Sequence, residues 1–514
     1  MDGQGPVRLR RRLPLLVVCA IIAASATSAQ SEVDGAGADA PEIDLTVREV
    51  IVLTLRNSRM LENARLNRSV DRFALLVAED EFRPRLTLDA YADRDAREVV
   101  DETSGIGSSV RLRVPTGGEF ALSSRVADAG IGALTLASHS SVIELTFTQP
   151  LLRGAGFGVA RGALQTARVT EEINALAFES AVIDLISRAV RAYRAYVQAG
   201  QRDEIAVRSL DRARRLLEVN RLLVQSGRMA ERDVIQAEAD IARRELDVVA
   251  ARGNLDAARL NLLDLLDLET RTRFGEAEGL AAEADATEPL NIESAFEIAL
   301  ANRPDYAIGL LEVRNAETRA HLARNAQLWD LSLTLGRAFT GSDDGFGGAI
   351  RDLDRSRNRV SLDLNVPVGR AAAGRARLEH RRAVASLQAA RNRLDDLRQR
   401  IAIDVQNAVR EIGLAERRLE LASRARELAQ QKTEIEREKL NLGITTNFQL
   451  VAFENDLVLA ENAELDAAVG KLNAATELDR TLGTTLERWG IEIDRVEHDN
   501  AEGERFGLYR ETVR

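Results

Sequence analysis

The sequence predicts a mainly α-helical protein that also supplies strands to a membrane β-barrel, built from a tandem-duplicated chain. Aromatic residues make up only 4% of the 514 residues, and Ala, Leu, Arg and Glu dominate, which is typical of long helices and coiled coils. The second half of the chain repeats the first. Each half also contains stretches of about ten residues with one apolar and one polar face, the length of membrane strands.

The N-terminal segment 1–29 has the features of a secretory signal peptide. Four arginines precede the apolar run 13–26, and small residues end at Ala29. The run is shorter than the roughly 20 residues of a spanning helix, so a membrane anchor is the less favoured alternative. Cys19 is not preceded by the small residue of a lipoprotein signal, and whether it is ever lipidated stays open. An acidic linker, 30–44, follows the signal.

The composition limits the classes of partner and chemistry. A formal net charge of −11 excludes a nucleic-acid partner, because binding the phosphate backbone requires a basic face. The four histidines lie in unrelated segments, and no catalytic motif occurs. The glycines of 154–158 resemble a dinucleotide loop with a spacing wrong by one residue, which we interpret as a joint between a strand and a helix. The sequence therefore predicts no enzyme, no cofactor and no metal site.

The duplication is visible when the chain is aligned with itself. Residues 45–91 match 290–336 without a gap, an offset of 245 (290 minus 45). Further on the offset falls to 217 and 216, and among the pairs are Pro150 with Pro367, Gly227 with Gly443 and Glu238 with Glu454. We therefore predict a first repeat over 45–288, a second over 289–483, and about 28 extra residues (245 minus 217) in the first.

Each repeat begins with an amphipathic helix and continues into strands. Apolar residues recur at helical spacing from Val47 to Leu55 and again after Ile292, and Pro304 indicates that a helix restarts after a break. Alternating apolar and polar residues predict strands at about 85–99, 141–151, 330–340 and 359–368. The extra residues predict a hairpin at about 108–127, which either extends beyond the membrane or adds strands to the barrel wall.

Two long helical rods complete the repeats. The segments 157–225 and 374–442 are almost free of helix-breaking residues, and a glycine turn follows each of them. A second helix then returns along each rod, so each repeat carries a helical hairpin, with tips at 226–228 and 442–444. Residues 484–514 are polar and predict a loose tail.

The predicted strands require several copies of the chain. Four two-faced strands cannot close into a barrel, and an open sheet edge is very unfavourable in lipid. Several copies must therefore pool their strands, and the rods would continue the barrel as a hollow tube.

These features resemble the TolC-type outer-membrane efflux proteins, also called outer membrane factors. The resemblance covers 45–483 and rests on segments that occur in the same order in both repeats. The segments are Leu45 to Val50 and Leu290 to Ala295, Gln149 to Gly154 and Val366 to Gly369, and the two glycine tips with Asp233 to Glu238 and Gln449 to Glu454.

The resemblance implies a homotrimer in the cell outer membrane, with a 12-stranded β-barrel built from four strands per chain and a periplasmic α-helical tunnel. It also implies a periplasmic adaptor (membrane fusion protein) and an inner-membrane ABC or RND-type pump as partners. The expected function is the exit duct of a tripartite efflux or type I secretion system, passing solutes or polypeptides to the exterior. The substrate and the pump class stay open.

The resemblance also assigns candidate site residues. The adaptor-docking tips correspond to Ser226, Gly227 and Arg228, and to Leu442, Gly443 and Ile444. A periplasmic gate is expected just past the tips, at Asp233 and Gln449. The second repeat departs from an acidic ring because Gln449 is uncharged, and Asp233 could equally be a helix-start residue.

The alternative is a periplasmic coiled-coil structural or adaptor protein without a barrel. It would explain the rods but not the paired two-faced strands.

Overall fold

The computed structural model describes residues 42–96, 100–130, 138–227, 229–277, 291–343, 351, 353, 355–367, 370–442 and 444–493. The strands are β1 Glu42–Leu45, β2 Arg85–Ala96, β3 Val100–Arg113, β4 Glu119–Gly130, β5 Ser138–Pro150, β6 Arg273–Ala277, β7 Asp330–Asp343 and β8 Arg355–Asn365. The helices are α1 Val47–Asn57, α2 Arg59–Glu79, α3 Phe157–Ala160, α4 Gly162–Gln225, α5 Glu231–Leu266, α6 Ile292–Asn302, α7 Pro304–Asn325, α8 Arg370–Asn441, α9 Asn447–Leu482 and α10 Thr485–Trp489. The predominance of helix confirms the predicted fold class.

The opening helices of both repeats begin at side-chain caps. The Thr46 hydroxyl accepts from the Glu49 amide (3.2 Å), and the Glu49 carboxylate accepts from the Thr46 amide (2.8 Å), which completes a capping box. In the second repeat, the Asn291 side chain accepts from the backbone amide of Glu293 (3.3 Å). Pro304 occupies the start of α7, where a missing amide hydrogen costs nothing, and this confirms the predicted restart.

The long helices match the predicted rods. Helix α4 has 64 residues and α8 has 72. At 1.5 Å per residue, the 64 residues of α4 extend about 96 Å. A single non-helical residue, Arg161, separates α4 from the short helix α3. Helices α5 and α9 pack back along α4 and α8, which gives the two predicted helical hairpins.

The main hydrophobic core lies where α1 packs on the middle of α4. The residues of α4 that step by three and four, from Val182 to Val197, are buried here, as the periodicity predicts. Tyr193 is fully buried, and its hydroxyl donates to the backbone oxygen of Leu45 (2.9 Å). A smaller core joins α6 to α8 and α9 around Ala299, Ile401 and Leu478. The helices that open each repeat are thus fixed to the rods.

A six-stranded antiparallel sheet has the order β2-β3-β4-β5-β7-β8. The two strands expected from each repeat are present, as β2 and β5 in the first repeat and β7 and β8 in the second. The extra hairpin supplies β3 and β4, which pair along their length between β2 and β5. Its predicted limits, 108–127, were narrower than the strands because residues 101–105 of β3 are polar or glycine and show no apolar alternation. This segment forms a strand because it is hydrogen-bonded to β2 and β4, although its own residues show no strand pattern.

The other strands differ slightly from the predicted limits. Strand β2 is described to Ala96, and residues 97–99 lie outside the described part of the chain. Strand β5 begins three residues earlier than predicted, and β7 continues three residues further. Strand β8 lies earlier than the predicted 359–368, because its N-terminal residues continue the ladder with β7 as far as Arg355.

Two segments expected to be irregular are structured. The end of the acidic linker forms β1, which pairs in parallel with β6 through Glu42 with Arg273 and Ile43 with Phe274. The start of the predicted loose tail forms α10, and the partly buried Leu486 and Trp489 pack against the main core. These apolar side chains explain why the tail is anchored, and residues 494–514 lie outside the described part. The signal segment 1–29 also lies outside it.

Candidate functional site

The tip of the first hairpin is a tight turn between α4 and α5. The Ser226 amide donates to the Leu222 oxygen (3.1 Å), and Gly227 has a positive φ of 71°, a conformation that glycine adopts without strain. Arg228 lies outside the described residues. Asp233 lies in the first turn of α5, where the positive end of the helix dipole favours a carboxylate. Its backbone amide donates to the Ala230 oxygen (3.0 Å).

The tip of the second hairpin has the same plan between α8 and α9. The Leu442 amide donates to the Glu438 oxygen (3.1 Å), and the Ile444 amide donates to the Lys439 oxygen (2.9 Å). Gly443 lies outside the described residues. Leu442 is 69% exposed and Ile444 is 72% exposed, so this tip presents large apolar side chains to its surroundings. Gln449 lies exposed in the first turn of α9.

A buried amide link joins the two tips. The Asn220 side chain of α4 donates to the Asn447 side-chain oxygen of α9 (3.0 Å), and the Asn447 amide group donates to the backbone oxygen of Asp233 (3.4 Å). Both asparagines are buried. The candidate gate residue Asp233 is thus connected to the second hairpin through its backbone, whereas no described contact brings its carboxylate to Gln449.

A second contact closes the tip of the second hairpin on itself. The Glu436 side chain of α8 accepts from the hydroxyl of Thr445, and Lys439 also lies within 3.3 Å. The hydrogen bond from Thr445 lowers the pKa of the Glu436 carboxyl, with further lowering from Lys439 against the effect of burial. Sequence reasoning missed Asn220, Glu436 and Asn447. The offset of 216 places Asn220 on Glu436 (220 plus 216), but two different polar residues at equivalent positions indicate neither contact.

Above the tips, a buried carboxylate connects the hairpins. Glu454 of α9 accepts from Arg212 of α4 (2.8 Å) and from Arg437 of α8 (2.6 Å). Arg212 also contacts Glu461 at 3.3 Å. Glu454 has only 7% of its side chain exposed, and the two arginines compensate the burial of its charge.

The sheet has one apolar and one polar face across all six strands. The strand registers align the apolar side chains of Leu86, Val110, Leu122, Leu145, Leu335 and Val360 with other apolar side chains on one face, which Ser108, Ser124 and Arg337 interrupt. The opposite face carries Thr87, Asp89, Arg111, Arg125, Glu144, Thr146, Arg359 and Ser361. Arg359 and Glu144 contact each other at 3.8 Å on the polar face. The apolar face suits lipid, and the polar face suits water.

The glycine-rich segment after β5 is a joint. Gly154 and Gly156 both have positive φ values. The Gly154 amide donates to the Asn325 side chain (2.8 Å), and the Gly156 amide donates to the Thr116 oxygen (3.1 Å). The turn between β3 and β4 and the end of α7 thus hold the point where the sheet becomes a rod. The interpretation of this segment as a strand-to-helix joint agrees with this geometry.

Two further properties concern only the part of the chain that the structure describes. It contains no cluster of His, Cys, Asp or Glu side chains suited to holding a metal ion. None of its helices is long and apolar enough to cross a bilayer.

Comparison with known proteins adds independent findings. Residues 50–267 and 295–484 match the family model described as outer membrane efflux protein. No curated protein matches the chain. Among solved structures, CusC, studied for conformational changes accompanying folding and transmembrane channel formation, has a TM-score of 0.66 and 16% identity, covering 88% of this chain and 95% of its own.

Two further outer-membrane proteins are similar at comparable levels. VceC of Vibrio cholerae has a TM-score of 0.64 at 15% identity, covering 85% of this chain and 96% of its own. The open state of the MtrE outer membrane channel of Neisseria gonorrhoeae has a TM-score of 0.64 at 17% identity, covering 88% of this chain and 94% of its own. At these identities the similarity establishes a shared fold.

Proposed function

The chain belongs to the outer membrane efflux protein family, and from this premise we propose that it is the exit duct of a tripartite efflux or type I secretion system. The family comprises outer-membrane channels with a long periplasmic helical part. In the proposed system, an inner-membrane ABC or RND-type pump and a periplasmic adaptor deliver solutes or polypeptides to the duct, which releases them outside the cell.

The observation that carries the proposal is the continuity between the two-faced sheet and the helical rods. Each of the six strands has at least 11 residues, enough to cross the hydrocarbon core at a tilt. Strand β5 continues through its glycine joint into α4, so the wall of a membrane pore leads directly into a rod of about 96 Å. A periplasmic coiled-coil or adaptor protein would have no use for the apolar sheet face.

A closed pore requires more than one chain. Within the described part of the chain, β2 and β8 each have a neighbouring strand on one side only, so a single sheet leaves two open edges. Open edges in lipid are unfavourable because their backbone groups lack hydrogen-bond partners. We propose a homotrimer, in which the sheets close into one barrel and the hairpins surround a tunnel.

The hairpin tips are the proposed contact with the adaptor. The exposed Leu442 and Ile444 at the second tip and Leu222 at the first give an apolar surface at the end of each rod. Docking is assigned to the six tip residues of the two turns, Ser226, Gly227, Arg228, Leu442, Gly443 and Ile444. Asp233 and Gln449, one turn further on, are the proposed periplasmic gate.

To test this proposal, the gene is deleted in its native host and restored on a plasmid. The plasmid encodes the wild type, the tip variant Leu442→Asp/Ile444→Asp or the control variant Leu459→Asp. Leu459 is also 69% exposed, but it lies 12 residues after the start of α9 at Asn447 and therefore away from the tip. Retention of a fluorescent cationic dye reports efflux, and comparison of culture supernatants reports polypeptide secretion. Outer-membrane fractionation and light scattering in detergent report assembly.

We expect the wild type to form three-chain particles in the outer membrane and to restore dye efflux or secretion. The tip variant should assemble normally but fail to restore transport, while the control restores it. A soluble monomer recovered without detergent would overturn the proposed duct. Normal transport by the tip variant would overturn the docking assignment alone.

A further inference from the structure

The apolar face of the sheet carries a guanidinium group. Arg337 of β7 lies opposite Leu145 of β5, among the apolar side chains that the strand registers align. Its side chain is exposed. Among the side chains that the structure describes on this face, no other belongs to an arginine, a lysine or a carboxylate. A charge on the lipid face of a membrane strand is unfavourable without a polar partner, so a partner for Arg337 has to be found.

The contacts of Arg337 within the chain position its charge but do not neutralise it. The guanidinium carbon lies 5.0 Å from the centre of the Phe339 ring, which is a cation–π contact. Within the described part of the chain, no carboxylate forms an ion pair with this guanidinium. A ring occupies one face of the planar group and leaves its N–H groups available to donate hydrogen bonds. The partner of Arg337 is therefore expected outside the chain.

The polar side chains beside Arg337 can donate hydrogen bonds as well. Asn358 of β8 lies directly opposite Arg337, and Ser356 lies opposite Phe339. Both polar side chains are exposed. Opposite side chains on antiparallel strands have Cβ atoms about 4.5 to 5.5 Å apart, so the guanidinium, the amide and the hydroxyl can contact one ligand. Donor groups around a positive charge suit an anion, and a guanidinium binds phosphate with two parallel hydrogen bonds.

Apolar side chains border this polar cluster on the side of the rods. Leu335 precedes Arg337 by two residues on the same face, and Val360 lies opposite Leu335. Leu335 is 42% exposed and Val360 is 74% exposed. A cationic donor cluster next to an exposed apolar strip matches a lipid, which has a phosphate next to its acyl chains.

The length of β7 places Arg337 close to the outer boundary of the membrane. Trp329, two residues before Leu331 and 55% exposed, lies at the end of the strand beside the rods, and such a position is typical of the membrane interface. Arg337 follows eight residues later (337 minus 329), about 19 to 22 Å further from the rods on a strand tilted by about 35 to 45°. The apolar band of membrane barrels is about 25 Å tall, so the long side chain of Arg337 can reach the outer headgroups.

We propose that Arg337, together with Asn358 and Ser356, binds the phosphate of a lipid in the outer leaflet, and that the acyl chains of this lipid cover Leu335 and Val360. The phosphate neutralises the guanidinium, and the acyl chains cover the apolar strip beside it. Free phosphate shares the chemistry of the headgroup, but only a lipid accounts for both parts of the site. The site requires the sheet to lie in a membrane and does not depend on what the proposed duct transports.

Native mass spectrometry of the detergent-solubilised full-length protein tests this site. The probes are lipid A with both of its phosphates, the same lipid without phosphates, and inorganic phosphate alone. The variant Arg337→Gln removes the positive charge and keeps a polar side chain. The matched control, Arg359→Gln, removes an exposed arginine from the polar face of β8, where Arg359 contacts Glu144 at 3.8 Å.

We expect the wild type and Arg359→Gln to bind phosphorylated lipid A at least about tenfold more tightly than Arg337→Gln, because this variant loses the charge-assisted hydrogen bonds to the phosphate. Lipid A without phosphates should bind all three proteins alike. Equal binding of phosphorylated lipid A by the wild type and Arg337→Gln would overturn the proposal. An equal loss in both variants would reveal a general effect of charge and overturn it too. Displacement of the lipid by millimolar inorganic phosphate would assign the site to a free anion instead.

Fluorescence quenching tests the depth of the site independently. The chain has two tryptophans, and Trp489 packs against the main core, so Trp489→Phe leaves Trp329 as the single tryptophan. In vesicles of brominated phospholipids, bromines close to the headgroup should quench Trp329 more strongly than bromines near the ends of the acyl chains. The reverse order would place Trp329 in the middle of the bilayer and Arg337 beyond the membrane, which would refute the site.

Light scattering on the same samples separates the failure of this site from that of the proposed function. A three-chain particle that binds phosphorylated lipid A no better than Arg337→Gln does refutes the lipid site alone. A soluble monomer recovered without detergent refutes the lipid site and the proposed duct together.

Discussion

The two helical hairpins descend from one duplicated unit, yet they hold their charges in different environments. Arg221 contacts Glu238 at 2.8 Å in the first hairpin, and Arg437 contacts Glu454 at 2.6 Å at the equivalent positions of the second, 216 residues later (437 minus 221). Both side chains of the first pair are about half exposed, whereas Glu454 is buried and takes a second arginine, Arg212, from the first hairpin. Both repeats keep the ion pair between the two helices of a hairpin. Only the pair of the second repeat also contacts the other hairpin, through Arg212.

The tips differ in the same way. At equivalent positions, Asn220 bonds across to Asn447 of the other hairpin, whereas Glu436 bonds to Thr445 at its own tip. At this position the first hairpin therefore bonds to the second hairpin, whereas the second hairpin bonds within its own tip. The contact between the tips therefore involves a position, 220, at which the repeats diverged.

Removing the shared carboxylate should have the largest effect. Glu454→Ala removes the carboxylate that joins the hairpins and leaves Arg212 with Glu461 and Arg437 half-exposed; each lost hydrogen bond to a charged group costs about 1.5 to 3 kcal/mol. We expect faster hydrogen exchange along both hairpins and a lower unfolding temperature of the detergent-solubilised protein. The matched variant Glu238→Ala removes an exposed ion pair, which contributes about 0 to 1 kcal/mol. An equal fall in unfolding temperature for Glu454→Ala and Glu238→Ala would contradict the proposed difference between the two ion pairs.

Breaking the amide link between the tips should have an intermediate effect. Asn447→Ala leaves the buried Asn220 side chain without its acceptor, a loss of about 1 to 3 kcal/mol. Hydrogen exchange measured by mass spectrometry should increase at both tips, because the link joins them. The control Gln449→Ala changes an exposed residue on the same turn of the helix and should leave exchange unchanged. An increase confined to the second hairpin would show that the link does not hold the first.

Acid should loosen the second tip in a way that depends on Thr445. The folded-state pKa of Glu436 is lowered, so its contribution is present above its ordinary pKa and is lost as the pH falls through the lower, folded value. The protection of residues 436–442, calculated as the exchange rate relative to that of an unfolded chain at the same pH, should therefore fall as the pH drops through the lowered pKa of Glu436. Thr445→Val removes the main cause of the lowered pKa and should move this loss of protection to higher pH. An unchanged profile in that variant would assign the stabilisation to Lys439 instead.

The smallest structural change concerns the candidate gate. Gln449→Asp gives the second repeat the acid that the first has in Asp233, and Gln449 is exposed, so stability should change by less than about 0.5 kcal/mol. In planar bilayers, the added carboxylates should make channel currents more sensitive to block by polyvalent cations, because they attract cations at a constriction. Asp233→Asn should reduce that sensitivity. Identical block in wild type and both variants would remove Asp233 and Gln449 from the gate.

The helical part of the fold could be predicted from the sequence because its signals are local. The spacing of apolar residues from Val182 to Val197 predicted a buried face, and the structure confirms it. The resemblance to the efflux protein family is likewise confirmed by the family match over most of both repeats. Strand β3 was only partly recognised because its first half has almost no apolar side chains and is defined by its neighbours.

The candidate site was less accessible to sequence reasoning. The glycine turns were predicted because they recur, and Asp233 was proposed as a gate residue because it stands just past one of them. The contact of Asn220 with Asn447 joins positions 227 residues apart and has no counterpart at equivalent positions, so no repeat pattern could indicate it. The packing of Trp489 on the main core is likewise a long-range contact, which the polar residues that follow it concealed.

The order of the strands also has a consequence for how the chain folds. Strands β2 to β5 succeed one another along the chain, so this meander can form from local contacts alone, as can the β7–β8 hairpin. The seam between them is different, since Thr148 on β5 and Thr334 on β7 are 186 residues apart. The whole first helical hairpin and the opening helices of the second repeat separate them, and closing so long a loop is slow compared with forming the local pairs. We expect β5 and β7 to pair late in folding. Until the rods have folded, the unpaired edges of the two halves of the sheet stay accessible to chaperones.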